Sequence, residues 1–541
     1  MENKNSARNP VIYSNKISRE LLPGMIKPLV WSINIPVVNS SWKNLFKELT
    51  GSAADSIRIE KLARCFYYRA YFNMSVVGDF FELLGISRDA LEVISGIKKA
   101  SNSKGIFKPS LKILRYLPRM TVFGFKLYFF NKKIEQFLRQ KTRQYKKIDN
   151  IVLKDINFKN CFNVIDRLIL IHQDSSYIVI LTQILNSIYN QALKRINNDK
   201  EIYKKIIYSN LEKNMLAQID PEKFISKLNS FFNKLPKESQ KVVLKTDYLT
   251  FKDDPKIGSF RKEFDIFMKR FGHLSDNAND FSKTTWKENP ELALRMIVYH
   301  YPSSEMNFSN PKSKSGNSEK TNFLSKFITK RAKQYQIYRG SIGFVYNFGF
   351  GLFRKLFLFI GQVFKEKNML DSKEDIFYLK YEEIKNLSRN PSLKNKYNLI
   401  IDERKRQIIE YQTLDLPEVI FDDLPQSKIK KRIAIKNLIG IASSRGIYSG
   451  VTKVVLGIED FDKIQKGDVL IIPYSDPGWT PLFSKAGAII SESGGLLSHC
   501  SIIAREYGIP AIVSVKGALQ IQDGTKIMVD GCAGKVKILD T

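Results

Sequence analysis

Ala488-Ile489-Ile490-Ser491-Glu492-Ser493-Gly494-Gly495-Leu496-Leu497-Ser498-His499-Cys500-Ser501-Ile502-Ile503-Ala504-Arg505-Glu506-Tyr507-Gly508-Ile509-Pro510-Ala511 is the stretch on which the fold turns. Ala488 to Ile490 reads as a short buried strand, the glycine pair as a turn, and the run with apolar residues at 496, 497, 502, 503 and 504 as a short helix. The spacing puts His499 in the first helical turn, where backbone N–H groups and the positive end of the dipole favour an anion beside the imidazole. The same dipole disfavours imidazolium, so the ring is expected to be neutral and nucleophilic near pH 7. Gly494 and Gly495 allow a phosphate to approach the backbone, and Ser498 is placed to donate a hydroxyl to it. Arg505 has two readings, a phosphate ligand or a partner for Glu506 or a carbonyl.

At 541 residues the chain has room for two or three domains, and 43% hydrophobic content with 12% aromatics marks it as globular. Four cysteines, at 65, 161, 500 and 532, make no CxxC pair and no metal spacing with the four histidines. No metal site is expected, and a reducing cytoplasm is the natural compartment. The polar N-terminus lacks the apolar core of a signal peptide. Residues 342–364 are the most membrane-like segment, but Asn347, Arg354 and Lys355 within it point to an amphipathic or buried helix.

The net charge is +33, yet residues 433–541 hold 11 Lys and Arg against 10 Asp and Glu, so +32 lies before them. There the lysines are mixed with acids along helical patterns, as in Lys365-Glu366-Lys367. Solvated helix faces account for most of this charge, ahead of a nucleic-acid or membrane-surface role.

Residues 1–412 read as a large, mostly helical domain. Phe162 to Ile171 and Tyr177 to Ile188 keep a helical period, with Asp174-Ser175-Ser176 predicted to turn a hairpin between them. Glu222 to Leu235 and Ser325 to Ile337 are also predicted helices. Residues 303–321, rich in Ser, Asn, Lys and Pro, read as a mobile loop. Residues 413–432 read as a linker. Residues 433–541 differ in kind, with β-rich runs at 452–456, 469–472, 488–490, 511–515, 526–529 and 535–538. Thr480 followed by Pro481 fits a helix N-cap and first position. The predicted class is therefore multidomain, α plus α/β.

Gly494-Gly495, Ser498-His499, Ala504-Arg505-Glu506-Tyr507-Gly508-Ile509-Pro510-Ala511 and Asp476-Pro477-Gly478-Trp479-Thr480-Pro481-Leu482 together resemble the phosphohistidine motif of the swivelling domain in phosphoenolpyruvate-utilising enzymes. That family includes phosphoenolpyruvate synthase and rifampicin phosphotransferase. Cys500 departs from the small alanine or glycine usual there. Leu22-Pro23-Gly24-Met25, Arg270-Phe271-Gly272-His273 with Trp286-Lys287-Glu288-Asn289-Pro290, and Asp371-Ser372-Lys373-Glu374-Asp375 resemble the helical acceptor domain in the family's order. The resemblance implies that His499 is transiently phosphorylated and that a hydroxyl or enolate acceptor sits in the helical domain. His273, Arg331 and Arg339 are the acceptor-site candidates it suggests. His273 is equally readable as a turn cap and Arg339 as a surface arginine.

No GxxxxGK[ST] run or other glycine-rich phosphate loop occurs, and residues before 433 are already assigned to helices. The resemblance then implies no tightly bound cofactor, with ATP and Mg²⁺ on a separate ATP-grasp partner and a small or lipophilic acceptor. The competing readings are a non-catalytic ligand-binding or regulatory protein on the same scaffold, and a basic nucleic-acid or membrane-surface protein.

Overall fold

A computed structural model describes residues 10–15, 18, 22, 24–86, 110–153, 158–196, 221–245, 257–275, 277, 279–298, 323–412, 414–423, 430–431, 437–475, 479–495 and 498–539. The predicted loop at 303–321, His300, Asp476 to Gly478, Leu496, Leu497 and much of 413–432 lie outside them. The chain forms two compact units, Met1–Ile178 with Leu352–Arg432, and Val179–Gly351 with Ile433–Thr541.

In the first unit β1 (Ile12–Ser14) pairs antiparallel with β3 (Arg69–Asn73), which pairs with β2 (Ala63–Phe66). β4 (Val419–Phe421) pairs with the other edge of β1, Ile12 opposite Phe421. This small sheet lies within the stretch read as mostly helical. Strands of three to five residues leave little local periodicity to detect, and β4 reaches β1 from some 400 positions away.

Helix α1 (Pro28–Thr50) opens on a proline, whose missing N–H costs nothing at a helix start. α2 (Leu117–Tyr128) packs on α1, and α3 (Phe130–Leu153) follows. α4 (Phe158–Ile196) runs unbroken for 39 residues, where a hairpin at Asp174-Ser175-Ser176 was expected. The reason is local: Ser175 Oγ donates to the Ile171 carbonyl four residues back, at 2.8 Å, so the hydroxyl joins the helical ladder instead of breaking it. Asp174 pairs with Lys141 of α3 at 2.9 Å.

The second unit contains α5 (Pro221–Asn233), α6 (Gly258–Phe271), α7 (Pro290–Val298) and the first part of α8 (Phe323–Glu366). α4 and α8 are long and apolar enough by length and composition to cross a membrane. Both carry buried polar groups, among them His172, Thr182 and Asn186 on α4 and Arg354 on α8. Arg354 lies over the Phe377 ring at 5.3 Å, and Lys355 reaches Asp149 at 3.0 Å. The partnered groups among these, Asn186 with Asn190, Arg354 and Lys355, suit protein interior better than lipid.

The same unit holds an eight-stranded sheet: β5 (Asn437–Ile439), β6 (Ile441–Ser444), β7 (Ile447–Val454), β8 (Val469–Ile472), β9 (Ala488–Ser491), β10 (Ala511–Val513), β11 (Lys526–Asp530) and β12 (Lys535–Ile538), in the order β5-β12-β11-β7-β8-β9-β10-β6. Strands β7 to β10 are mutually parallel and the flanking pairs antiparallel. β8 and β9 are buried at every position, as central parallel strands covered on both faces must be. One face of the sheet, with Ile471, Ile490, Ile512 and Ile527, closes its own core. The other, with Leu470, Ile472, Ile489 and Val513, shares a core with Phe264, Phe267, Trp286 and Ile297 of the helices. Two helices lie on this side of the sheet, α9 (Thr480–Phe483) and α10 (His499–Glu506), and α9 also touches α5 and α7.

Candidate active site

β8 and β9 run in parallel register, Ile472 opposite Ser491, so the loops leaving their carboxyl ends emerge side by side. The edge where parallel strands end is where open α/β sheets collect ligands. One loop leads to Ser475 and Thr480, the other to His499. Gly494 takes φ +121°, which a side chain would resist, and a Cβ there would come within 3.0 Å of Ser498 Oγ. Ser514 Oγ donates to the Gly494 carbonyl at 2.5 Å, and Ser498 N–H to that of Gly495 at 3.0 Å, which fixes the turn.

Ser498 is the N-cap of α10. Its hydroxyl accepts from Ser501 N–H and donates to Ser501 Oγ at 3.1 Å, which donates in turn to the Gly495 carbonyl at 2.7 Å. Ser475 Oγ accepts from Cys500 N–H at 2.6 Å. Two first-turn amides expected to face an anion are thus capped by serine hydroxyls. Ser498 is engaged as a cap in this arrangement.

His499 is half-buried, and its Nε2 lies 2.8 Å from Thr480 Oγ1, with the Phe483 ring 6.3 Å away. Burial pushes the imidazole down to about 4, and the positive charge of Arg339 on α8 acts in the same direction. The ring is therefore neutral at pH 7. Thr480 itself is almost wholly buried. It is the first residue of α9, after an N-cap at Trp479, rather than the cap that its pairing with Pro481 suggested.

Of the acceptor-site candidates, Arg339 is the one that acts on His499. Arg331 lies over Phe327 at 5.3 Å and faces Tyr335, a buried ring stacked on Tyr189 at 5.3 Å. His273 stands edge-on to Phe344 and Phe348 of α8 at 5.0 and 5.1 Å, and a Cβ on Gly351 would sit 3.1 Å from its own Cβ. The His273 ring is thus set as a wedge against α8. Arg505 Nη1 donates to the Ser443 carbonyl at 2.9 Å and Ser444 Oγ to that of Ala504 at 3.3 Å, tying α10 to β6. Cys500 is buried in the shared core, which pushes its thiol up to about 12, the opposite of an activated nucleophile. Ser475 is a site residue that sequence reasoning missed; Thr480, within the Asp476 to Leu482 run, was read there only as a helix cap and not as the partner of His499.

A parallel-stranded α/β domain with a neutral histidine at its carboxyl edge, packed on helices that supply an arginine, defines the class. Residues 464–534 match the family described as PEP-utilising enzyme, mobile domain, and residues 179–339 match the rifampicin phosphotransferase fourth domain. Two segments of the chain, together less than half of it, are thus similar to phosphoenolpyruvate-utilising and rifampicin phosphotransferase proteins. It is 30% identical to rifampicin phosphotransferase of Bacillus cereus over 316 residues, 54% of this chain and 36% of that protein. The Bacillus subtilis enzyme gives 30% over 297 residues, 50% and 34% of the two chains. A phosphoenolpyruvate synthase of Aeropyrum pernix is 42% identical over 99 residues, 18% of this chain and 12% of that one. The chain thus spans about a third of the length of the rifampicin phosphotransferases it matches. His499 falls in one matched segment and Arg339 ends the other.

Proposed function

We propose that His499 is a phosphoryl carrier in a phosphotransferase. A nitrogen of the neutral ring attacks a phosphoryl group of ATP held at an ATP-grasp site outside residues 1–541, on a separate protein. The N–P bond forms, the P–O bond to the nucleotide breaks, and the nucleotide leaves with its Mg²⁺. In the second displacement an acceptor hydroxyl attacks phosphorus, the O–P bond forms, the N–P bond breaks, and the hydroxyl proton passes to the departing imidazole or to water. Arg339 supports this step by neutralising phosphoryl charge, while keeping the resting ring unprotonated. The acceptor is a small or lipophilic hydroxyl compound held by the helices of residues 179–351, and the setting is the cytoplasm.

The observation that carries this reading is a depressed-pKa imidazole, hydrogen-bonded at Nε2 beside an arginine of the other family-matched segment. Its test is incubation with ATP, Mg²⁺ and an ATP-grasp donor protein, followed by assay for acid-labile phosphate. Label is expected on the parent chain and none on His499→Ala; Arg339→Ala should still be labelled but pass phosphate on about 10² times more slowly. Absence of label with every donor tried would leave a ligand-binding protein on this scaffold.

A further inference from the structure

Residues 111–129 present a second apolar face that, among the described residues of their own unit, is left uncovered. In α2 the positions around Phe123, which is buried, turn toward α1. At 100° per residue, Leu117, Val122, Phe125 and Phe129 fall on the opposite arc. They are exposed, as are Leu111 and Leu114 in the 3₁₀ turns just before the helix, with Leu111 at 83% and Phe125 at 68%. A Cβ built on Gly124 meets nothing within 4 Å, so this side of the helix is open. A helix that buries one apolar face needs a reason to carry another.

The charges within the segment itself are of one sign, although Glu48 and Glu135 lie at its edges. From 110 to 134 there are six cations, Lys112, Arg115, Arg119, Lys126, Lys132 and Lys133, and no Asp or Glu. Arg119 and Lys126 sit at the border of the apolar arc, Arg119 folded against Gly51 and Lys126 paired with Glu48 at 2.6 Å. α3 extends the basic character through Lys132, Arg139, Arg143 and Lys147, which with Glu135 line an open groove. Apolar side chains framed by lysine and arginine match the boundary of an anionic bilayer, where aromatic and aliphatic groups enter the acyl layer and cations meet headgroup phosphates. A nucleic acid would use the cations and leave the exposed Leu, Val and Phe unburied. From this charge pattern we infer that residues 111–129, with the start of α3, form a peripheral docking surface for anionic membrane.

The test floats the full chain with vesicles of phosphatidylcholine containing about one third phosphatidylglycerol, and with phosphatidylcholine alone. The chain should float with the anionic vesicles only, and raising salt about tenfold should release most of it. Val122→Ser/Phe125→Ser/Phe129→Ser, all at exposed positions, should cut the floated fraction about tenfold with an unchanged unfolding midpoint. Lys112→Ala/Arg115→Ala/Lys133→Ala should weaken anionic binding without creating binding to neutral vesicles. Failure to float with anionic vesicles would overturn the inference. So would a serine variant that floats as well as the parent, or one whose only change is dissociation of a dimer, which would make the stripe a contact between copies.

Discussion

His499 couples chemistry to pH through one ring. Its folded value near 4 lies below the ordinary 6.5, so the unfolded chain takes up the proton first. Stability linked to this group is therefore intact above about pH 7 and falls on acidification from 6.5 toward 4, by up to about 1.4 kcal/mol for each pH unit. Labelling of His499 should likewise stay level between about pH 6 and 8, with no inflection at an ordinary histidine value; initial rates of acid-labile phosphate formation across that range check this. Thr480 fixes the ring through Nε2. Thr480→Val keeps the shape but removes the hydroxyl, and should slow transfer about 10- to 100-fold, while Thr480→Ser recovers most of the rate. Equal rates for the two variants would reduce Thr480 to packing. His499 was legible in the sequence because a glycine turn and a helix start announce it over a dozen residues. The contacts of Thr480 with the ring and of Ser475 with Cys500 N–H were not, because they form through the pairing of β8 with β9, which no local pattern records.

The helices show where local pattern succeeds and where it misleads. α5 follows its apolar period within two residues, as do the strands at 469–472 and 535–538. α4 did not break at Asp174-Ser175-Ser176, because tertiary partners make those polar residues good interior helix residues. His172, Tyr145 and Ser175 form a buried relay: Ser175 donates to Ile171, Tyr145 donates to Ser175 at 3.0 Å, and the single phenolic proton then leaves His172 Nδ1–H to donate to Tyr145, also at 3.0 Å. Burial pushes His172 down to about 3, so the relay requires the neutral ring. Tyr145→Phe strands the Nδ1–H and should cost about 1–3 kcal/mol at pH 7, measured by denaturant unfolding. Acidification from 6.5 toward 3 should destabilise the parent progressively, since the unfolded histidine protonates first.

At the scale of the molecule, the α-plus-α/β class was legible from the change in composition near residue 433. What composition could not record is that the sheet does not close its core alone. Leu482 and Phe483 of α9 belong to the same buried cluster as Trp286 and Ile297. Leu482→Ala should therefore cost about 2–5 kcal/mol and lower a transition seen by Trp286 as well as Trp479 emission, in a background where Trp31 and Trp42 are phenylalanine. The same substitution probes how His499 is charged. With Nε2 on Thr480 and α9 against α5 and α7, the ring is half-covered. An external donor would reach it through a minor state in which α9 has left those helices. Weakening the α9 contact by about 2 kcal/mol would raise that population some 30-fold, so Leu482→Ala should be labelled faster than the parent while it unfolds more easily. If labelling instead slows in step with stability, the donor must meet His499 with α9 in place, and the covered state is the one that accepts phosphate.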